Sequence, residues 1–531
     1  MTDTAARQIA SGYTTEGGAV TLGSVVVDGV ADPAATVALP LSMVNRHGLI
    51  AGATGTGKTK TVQLFVEQLS ANGVPVVVAD IKGDLSGLAA PGEASAAISD
   101  RAARAGADWT PEAFPVQFVS LGTGGIGVPI RATISGFGPI LLSKVLGLNA
   151  TQESTLGLIF HWADQQGLEL YDLKDLRSVI QYLTGDQGKA DLKGIGGVST
   201  ATAGVILRAL VNLEAAGGDT FFGDPELDPA DLMRTEDGRG VVTAIELGDQ
   251  AARPALFSTF LMWILAELFQ TLPEKGDADK PELVFIFDEA HLLFADASKA
   301  FLEQVVQTVK LIRSKGVGVY FCSQQPTDIP RDVLSQLGAR IQHALRAFTP
   351  EDQAALAKTV KTYPRSEVYD IATALTSLGT GEAIVTVLSE RGAPTPVAWT
   401  LMAPPRSLMD TIGAPAITEK ARASGLYARY GATVDPLSAF EKLRAQADAA
   451  DRAALDAEAA AQQAERAREQ ARVEAQEQAQ AGDGAGGGGD ESFVERAMAN
   501  PAVRSFLRSA ASAAGREISR NIFGTRTRRR R

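Results

Sequence analysis

Gly52-Ala53-Thr54-Gly55-Thr56-Gly57-Lys58-Thr59 matches the spacing G-x-x-x-x-G-K-[ST], and its residue types suit phosphate chemistry. Glycines let a tight loop turn backbone N–H groups inward onto phosphate oxygens. Lys58 supplies a cation for β- and γ-phosphates, and the Thr59 hydroxyl is a ligand for a divalent metal. With Lys60 appended, Gly52 to Lys60 form the predicted nucleotide-binding set. A second constellation lies about 230 residues later, where the apolar run Leu283-Val284-Phe285-Ile286-Phe287 ends in Asp288 and Glu289. There Asp288 would hold the metal shell and Glu289 would orient or activate an attacking water.

A third group follows. The run Gly316 to Ser323 ends in Gln324 and Gln325, and Gln324 is the first candidate for sensing a γ-phosphate. Arg313 precedes this run, at the far end of a predicted helix from the acid pair. That position suits reaching a neighbouring subunit's nucleotide better than its own. Arg340 and Arg346 are its competitors. Asp80-Ile81-Lys82-Gly83-Asp84 adds two carboxylates and a lysine after another apolar run.

The elements that must position these groups follow from periodicity. Leu49-Ile50-Ala51 reads as a strand feeding the loop, and Thr61 to Leu69 has helical apolar spacing, so phosphate would meet a helix N-terminus. Val74-Pro75-Val76-Val77-Val78-Ala79 is β-branched throughout, as strands buried on both faces are. Further strands are expected at 114–120, 240–247, 283–287, 316–323, 339–346 and 381–388, with the prolines from Pro394 to Pro405 marking the way out of the sheet. The fold class is α/β, with a mostly parallel central sheet.

Domain boundaries follow from the same pattern. Residues 1–45 are expected to form a short β-rich cap or added edge hairpin, 46–138 and 236–405 the two parts of the core, and 139–235 a helical insertion. Residues 436–480 read as a charged, alanine-rich helix, 482–490 as a glycine-rich linker, and 491–531 as a basic tail.

Composition narrows the class. The chain has 531 residues and a formal charge of −12, which argues against a protein that coats nucleic acid uniformly. Yet residues 504–531 hold nine arginines against Glu517, a tail suited to nucleic acid or an acidic surface. Cys322 is the single cysteine, so an internal disulfide is excluded. His47, His161, His291 and His343 are scattered without metal-ligand spacing, so any metal should arrive with nucleotide. The start of the chain does not read as a secretory signal, and the apolar run 255–269 is too short to span a bilayer, which together predict a cytoplasmic protein.

The motifs resemble the HerA/FtsK superfamily of P-loop motor ATPases, and within it the bacterial HerA-like proteins of the YjgR type. The match is carried by His47 to Thr59, Asp80 to Leu88, Leu146-Gly147-Leu148-Asn149-Ala150-Thr151-Gln152-Glu153, Phe287 to His291, and Arg313 to Pro326, in family order over roughly residues 15–405. The resemblance implies a RecA-like core, ATP hydrolysis with Mg²⁺, and a homo-oligomer, a hexameric ring that moves on DNA. It gives Lys58, Thr59, Asp288, Glu289, Gln324 and Arg313 phosphate, metal, catalytic, sensor and finger roles. HerA proper carries an N-terminal β-barrel, for which residues 1–45 are expected to be too short. Asp288 to His291 also spells the box of another helicase superfamily, but no downstream Q-x-x-G-R-x-G-R pattern accompanies it. A competing reading is a nucleotide-dependent scaffold that acts on protein partners through 436–480 and the arginine tail.

Overall fold

The computed structural model describes residues 2–81, 83–191, 196–215, 217–247, 254–276, 278–294 and 299–482. Lys82, the glycine-rich linker from 483 onward and the basic tail lie outside the described residues. The chain divides into two compact units, Met1–Gln446 and Ala447–Arg531.

The first unit is built on one twelve-stranded sheet. Its strands are β1 (Ala19–Val27), β2 (Val30–Pro40), β3 (Gly48–Ala51), β4 (Val76–Asp80), β5 (Val116–Leu121), β6 (Val128–Ile130), β9 (Val242–Glu246), β10 (Leu283–Phe287), β11 (Val317–Ser323), β12 (Ala339–Gln342), β13 (Glu382–Thr386) and β14 (Ala398–Met402), while β7 (Thr235–Glu236) and β8 (Arg239–Gly240) form a separate small hairpin. The central strands are mostly apolar because helices cover both faces: every residue of β3, β4, β9, β10 and β11 is buried, including Asp80, Glu246 and Ser323 at their carboxyl ends.

Strand order decides where chemistry can happen. Across the sheet it runs β2-β1-β14-β13-β12-β3-β11-β10-β4-β9-β5-β6. From β12 to β6 neighbouring strands are parallel, so their carboxyl ends share one edge. β11 is inserted between β3 and β10. Residues that follow β11 therefore fall between those that follow β3 and those that follow β10.

The sheet does not end at β13, as the proline-rich stretch suggested. Pro394 and Pro396 precede β14 and Pro404 and Pro405 follow it; β14 pairs antiparallel with β13, and β1 then pairs antiparallel with β14. Residues near the N-terminus thus extend the main sheet. They also begin with a helix that strand periodicity did not indicate, α1 (Thr2–Ala10). Tyr13 fastens this segment by donating from its hydroxyl to the carbonyl of Val385, 2.8 Å away.

Helix α2 (Lys58–Ala71) follows the loop and α3 (Ala96–Arg104) comes next; α4 (Ile134–Val145) starts five residues ahead of the expected insertion region, and α5 (Ala150–Gln165), α6 (Leu173–Thr184) and α7 (Thr200–Ala215) lie within it. α8 (Pro254–Thr271) ties them to the core: Trp263 is buried and its indole N–H donates to the Gly136 carbonyl at 3.0 Å. A short α9 (His291–Phe294) and then α10 (Lys299–Ile312) lead back to β11. A final helix spans Ala439–Gly482; Ala439 and Leu443 at its start are buried, and in the second unit its Leu455 and Val473 are exposed. No described helix is long and apolar enough to cross a membrane.

Candidate nucleotide site

The loop between β3 and α2 is held by its neighbours rather than by itself. The Gly52 N–H donates to the Ser323 carbonyl at 3.1 Å, and the Ala53 N–H to the Ala344 carbonyl at 3.0 Å. Thr56 turns its hydroxyl onto the Ala53 carbonyl at 2.7 Å, and its own carbonyl accepts from the Gly381 N–H at 2.8 Å. Two glycines are needed where they stand. Gly57 has φ of 104°, and a Cβ there would lie 2.9 Å from the Gly381 backbone. At Gly52 a Cβ would lie 2.5 Å from the His343 Cβ.

This loop opens a helix whose N-cap is Gly57, with no side chain closing its first turn. The first amides of α2 and the positive end of its dipole are thus presented at the loop, which fits a phosphate group. Lys58 is the first residue of α2, and its Nζ is 3.9 Å from the Asp288 carboxylate that follows β10. Thr59, next along, is half-buried beside it. Lysine, hydroxyl and carboxylate supply the donor set that a nucleotide with Mg²⁺ requires, so the residues present fit that group.

Glu289 follows Asp288 in a left-handed conformation, φ 47°, which a non-glycine residue adopts at a cost of about 1–3 kcal/mol. It is nearly buried, at 8% exposure, and its Oε2 is 3.5 Å from Nδ1 of His291. The Ala290 N–H donates to the Cys322 carbonyl at 2.8 Å, which pins the turn against β11. Gln324 is exposed at the end of β11, between the loop and the acid pair. The turn beneath it is organised by Asp328, which accepts from the Gln325 N–H at 3.0 Å and from the Ser323 hydroxyl.

The three arginines separate clearly. Arg346 sits on this chain's own loop, where its guanidinium donates to the Thr54 carbonyl at 3.4 Å. Arg340 lies within β12. Arg313 is exposed in the 3₁₀ turn Arg313–Lys315 at the start of β11, the opposite edge of the sheet. Seven residues of β11 at about 3.3 Å each put Arg313 about 23 Å from the loop edge. The four expected groups therefore do not all converge: the loop, the acid pair and Gln324 come together, and Arg313 does not.

Carboxylates continue along the same edge. Asp80, at the end of β4, accepts from the Leu85 N–H at 2.8 Å; burial raises its pKa to about 6 against that hydrogen bond, and the Asp288 charge adds to the rise. Glu246 pairs with Asp80 in the next strand, and burial with the Asp80 charge pushes it up to about 8. His47 and His343 are buried, and burial lowers both to about 4, so they are neutral core residues. Among the described residues no His, Cys, Asp and Glu side chains gather into a separate metal cluster.

Sequence reasoning missed the supports behind α2. Glu67 is buried and accepts from the backbone N–H groups of Arg406 and Ser407, each at 2.8 Å. Gln63 donates to the Leu408 carbonyl at 2.8 Å. A polar pair at i, i+4 on a helix otherwise read as apolar was the available signal.

A phosphate-binding loop and an acid pair, held on strands β3 and β10 with one strand between them in a parallel sheet, define a P-loop nucleotide-binding protein. The particular family is shown by comparison: the chain belongs to the Helicase HerA-like C-terminal family, whose model matches residues 27–531. A curated relative, the DNA double-strand break repair helicase HerA of Sulfolobus acidocaldarius, is 27% identical over 168 residues. That match covers 32% of this chain and 32% of the relative, so the chain spans about a third of that protein's length. Among solved structures, the plasmid coupling protein TrwB in complex with the ATP analogue ADPNP is similar at 15% identity and a TM-score of 0.49, over 75% of this chain and 91% of that one. VirB4 of Thermoanaerobacter pseudethanolicus is similar at 15% identity and a TM-score of 0.46, over 74% and 97%.

Proposed function

We propose that this protein hydrolyses ATP with Mg²⁺ and uses the cycle to move on DNA as a homo-oligomer. The observation that carries the first half is the juxtaposition at 3.9 Å of Lys58, which opens the helix after β3, and Asp288, which follows β10, with β11 lying between those two strands. In this reading the loop from Gly52 to Thr59 binds the phosphates through its amides, and Lys58 neutralises charge that builds up on them. Thr59 and Asp288 would hold the metal ion, which when bound adds Lewis-acid stabilisation of the phosphates. Glu289 accepts a proton from the attacking water or orients it, and Gln324 contacts the γ-phosphate so that β11 responds to its presence. Family membership supports the motor reading, and the S. acidocaldarius relative is named for a DNA task.

Arg313 supports the oligomer part of this reading through its position. It cannot reach its own loop, and Arg346 already occupies that edge, so Arg313 is assigned to a neighbour's site, as in a ring of identical subunits. The test is ATP turnover with and without DNA. Lys58→Ala should abolish turnover, and wild-type turnover should rise when duplex or single-stranded DNA is added. Turnover indifferent to DNA of every form would remove the translocase half of the proposal and leave an ATPase that acts on another partner.

A further inference from the structure

Two apolar features of the first unit lie beside the arginines at opposite edges of the sheet, and the chemistry described above uses neither. The first is Phe348, two residues after Arg346; at 84% exposure it is the most exposed large apolar side chain among the described residues. Its backbone is fixed. The N–H groups of Phe348 and Thr349 donate to the Asp352 carboxylate at 3.2 and 3.0 Å, and the Asp352 N–H donates to the Thr349 hydroxyl at 3.1 Å, which caps the helix Pro350–Val360. An apolar residue in the position of Phe348 ordinarily packs on the fourth residue of the helix it precedes. Here that residue is Gln353, so the helix offers the ring no apolar partner at that place.

The second is the outward side of α10. Beside the short helix Arg331–Leu334 it carries a groove of about 590 Å³, lined by the apolar side chains of Leu302, Val306 and Leu311 and by the charged groups of Glu303, Lys310 and Asp332. Leu311 is exposed and lies two residues ahead of Arg313. If Arg313 of one subunit reaches the loop of the next, the same approach carries its Leu311 toward the Phe348 of that neighbour, because each apolar residue sits two positions from the arginine of its own edge. Charge agrees with the match: Glu351 is exposed near Phe348, and Lys310 is exposed beside Leu311.

We infer that Phe348 of each subunit seats in the α10 groove of its neighbour and forms the apolar anchor of a head-to-tail interface between copies of this chain. The contact is heterologous, a knob on one face meeting a groove on another face of the same molecule. An aromatic ring suits the part, since it removes about 150–250 Å² from water and such residues dominate interface energetics. The inference rests on Arg313 acting across subunits, and it adds the contact that holds Arg313 there.

The experiment crosslinks full-length chains that carry one introduced cysteine each, Phe348→Cys or Leu311→Cys, with a short bismaleimide in the presence of Mg²⁺ and a non-hydrolysable ATP analogue. Wild type is the blank, because its Cys322 is buried. Crosslinked dimers should form when the two variants are mixed and in neither variant alone, because the contact joins unlike faces. Phe348→Ala should raise the protein concentration at which turnover per chain reaches half its plateau by about tenfold or more, with plateau and melting temperature unchanged. Assembly without crosslinks in the mixture, crosslinks within a single variant, or an unchanged concentration dependence in Phe348→Ala would each overturn the inference. So would a Phe348→Ala chain that assembles like wild type but binds single-stranded DNA more weakly, which gives the ring to nucleic acid. Wild type that stays monomeric at every concentration with nucleotide and DNA would remove, together with this inference, the oligomer reading beneath it.

Discussion

Glu289 sits in a left-handed conformation next to a metal-ligand candidate, and such strain is retained where neighbouring structure holds it in place. If it activates water, Glu289→Gln should keep nucleotide binding and slow turnover about a hundredfold or more, read by parallel binding and single-turnover measurements. Gly57→Ala tests the loop: with φ 104° and Gly381 2.9 Å from the added Cβ, the loop must shift, costing about 2 kcal/mol and a matching fall in ATP affinity. Glu246 gives a pH prediction. Its native pKa is raised from 4.5 to about 8, so between those values the folded chain keeps a proton that the unfolded chain gives up. Stability should therefore fall as pH rises through that window, and remain penalised above it. Glu246→Gln should flatten thermal melts between pH 4.5 and 8 and raise the melting temperature at the upper end; a variant that melts with the wild-type pH slope would refute this. The loop and acid pair were legible in the sequence because their spacing is contiguous. Glu246 and Arg101, which donates to the Gly381 carbonyl, were not, because strands and loops far apart in the chain bring them to the site, and Arg346 was named only as a competitor to Arg313.

At the scale of elements, most strands could be read from apolar runs, but their order could not. Periodicity says that β3, β10 and β11 are buried; only the crossovers place β11 between the other two, so that Gln324, which follows β11, falls between the loop after β3 and the acid pair after β10. β14 was hidden by the prolines around it, and β6 by having three residues. The backing of α2 was hidden for another reason: Gln63 and Glu67 look solvent-facing until residues 406–408 fold over them. This backing makes α2 a fixed platform for Lys58. Removing it with Glu67→Ala leaves two buried backbone N–H groups without their acceptor, a loss of about 2 kcal/mol or more. The expected result is a lower denaturant midpoint together with weaker ATP binding, since the strap from 403 to 409 also walls a cavity that Gly57 and Lys60 line. Loss of stability with ATP affinity intact would show that the strap and the site are independent.

For the molecule as a whole, the decisive fact is that Arg313 and the loop lie on opposite edges of one sheet, about 23 Å apart along β11. In the proposed homo-oligomer, a head-to-tail arrangement of identical subunits would bring such edges together, each site taking its lysine from one chain and its arginine from the next. Charge is consistent with a role reserved for contact: Arg313 is exposed, and its field contributes to the depressed pKa of the buried His47 beside β3. Lys58→Ala and Arg313→Ala chains should each be inactive in ATP turnover alone. Mixed in equal amounts and allowed to exchange, they should recover about a quarter of wild-type activity, because a productive site needs an intact Lys58 on one chain, chosen half the time, and an intact Arg313 on its neighbour, chosen half the time. Arg346→Ala, by contrast, alters the loop of its own chain, and mixing it with Lys58→Ala should recover nothing, since every site with an intact lysine then carries the damaged loop. Recovery in the first mixture and none in the second identifies Arg313 as the residue that crosses between subunits; the reverse pattern would assign that role to Arg346.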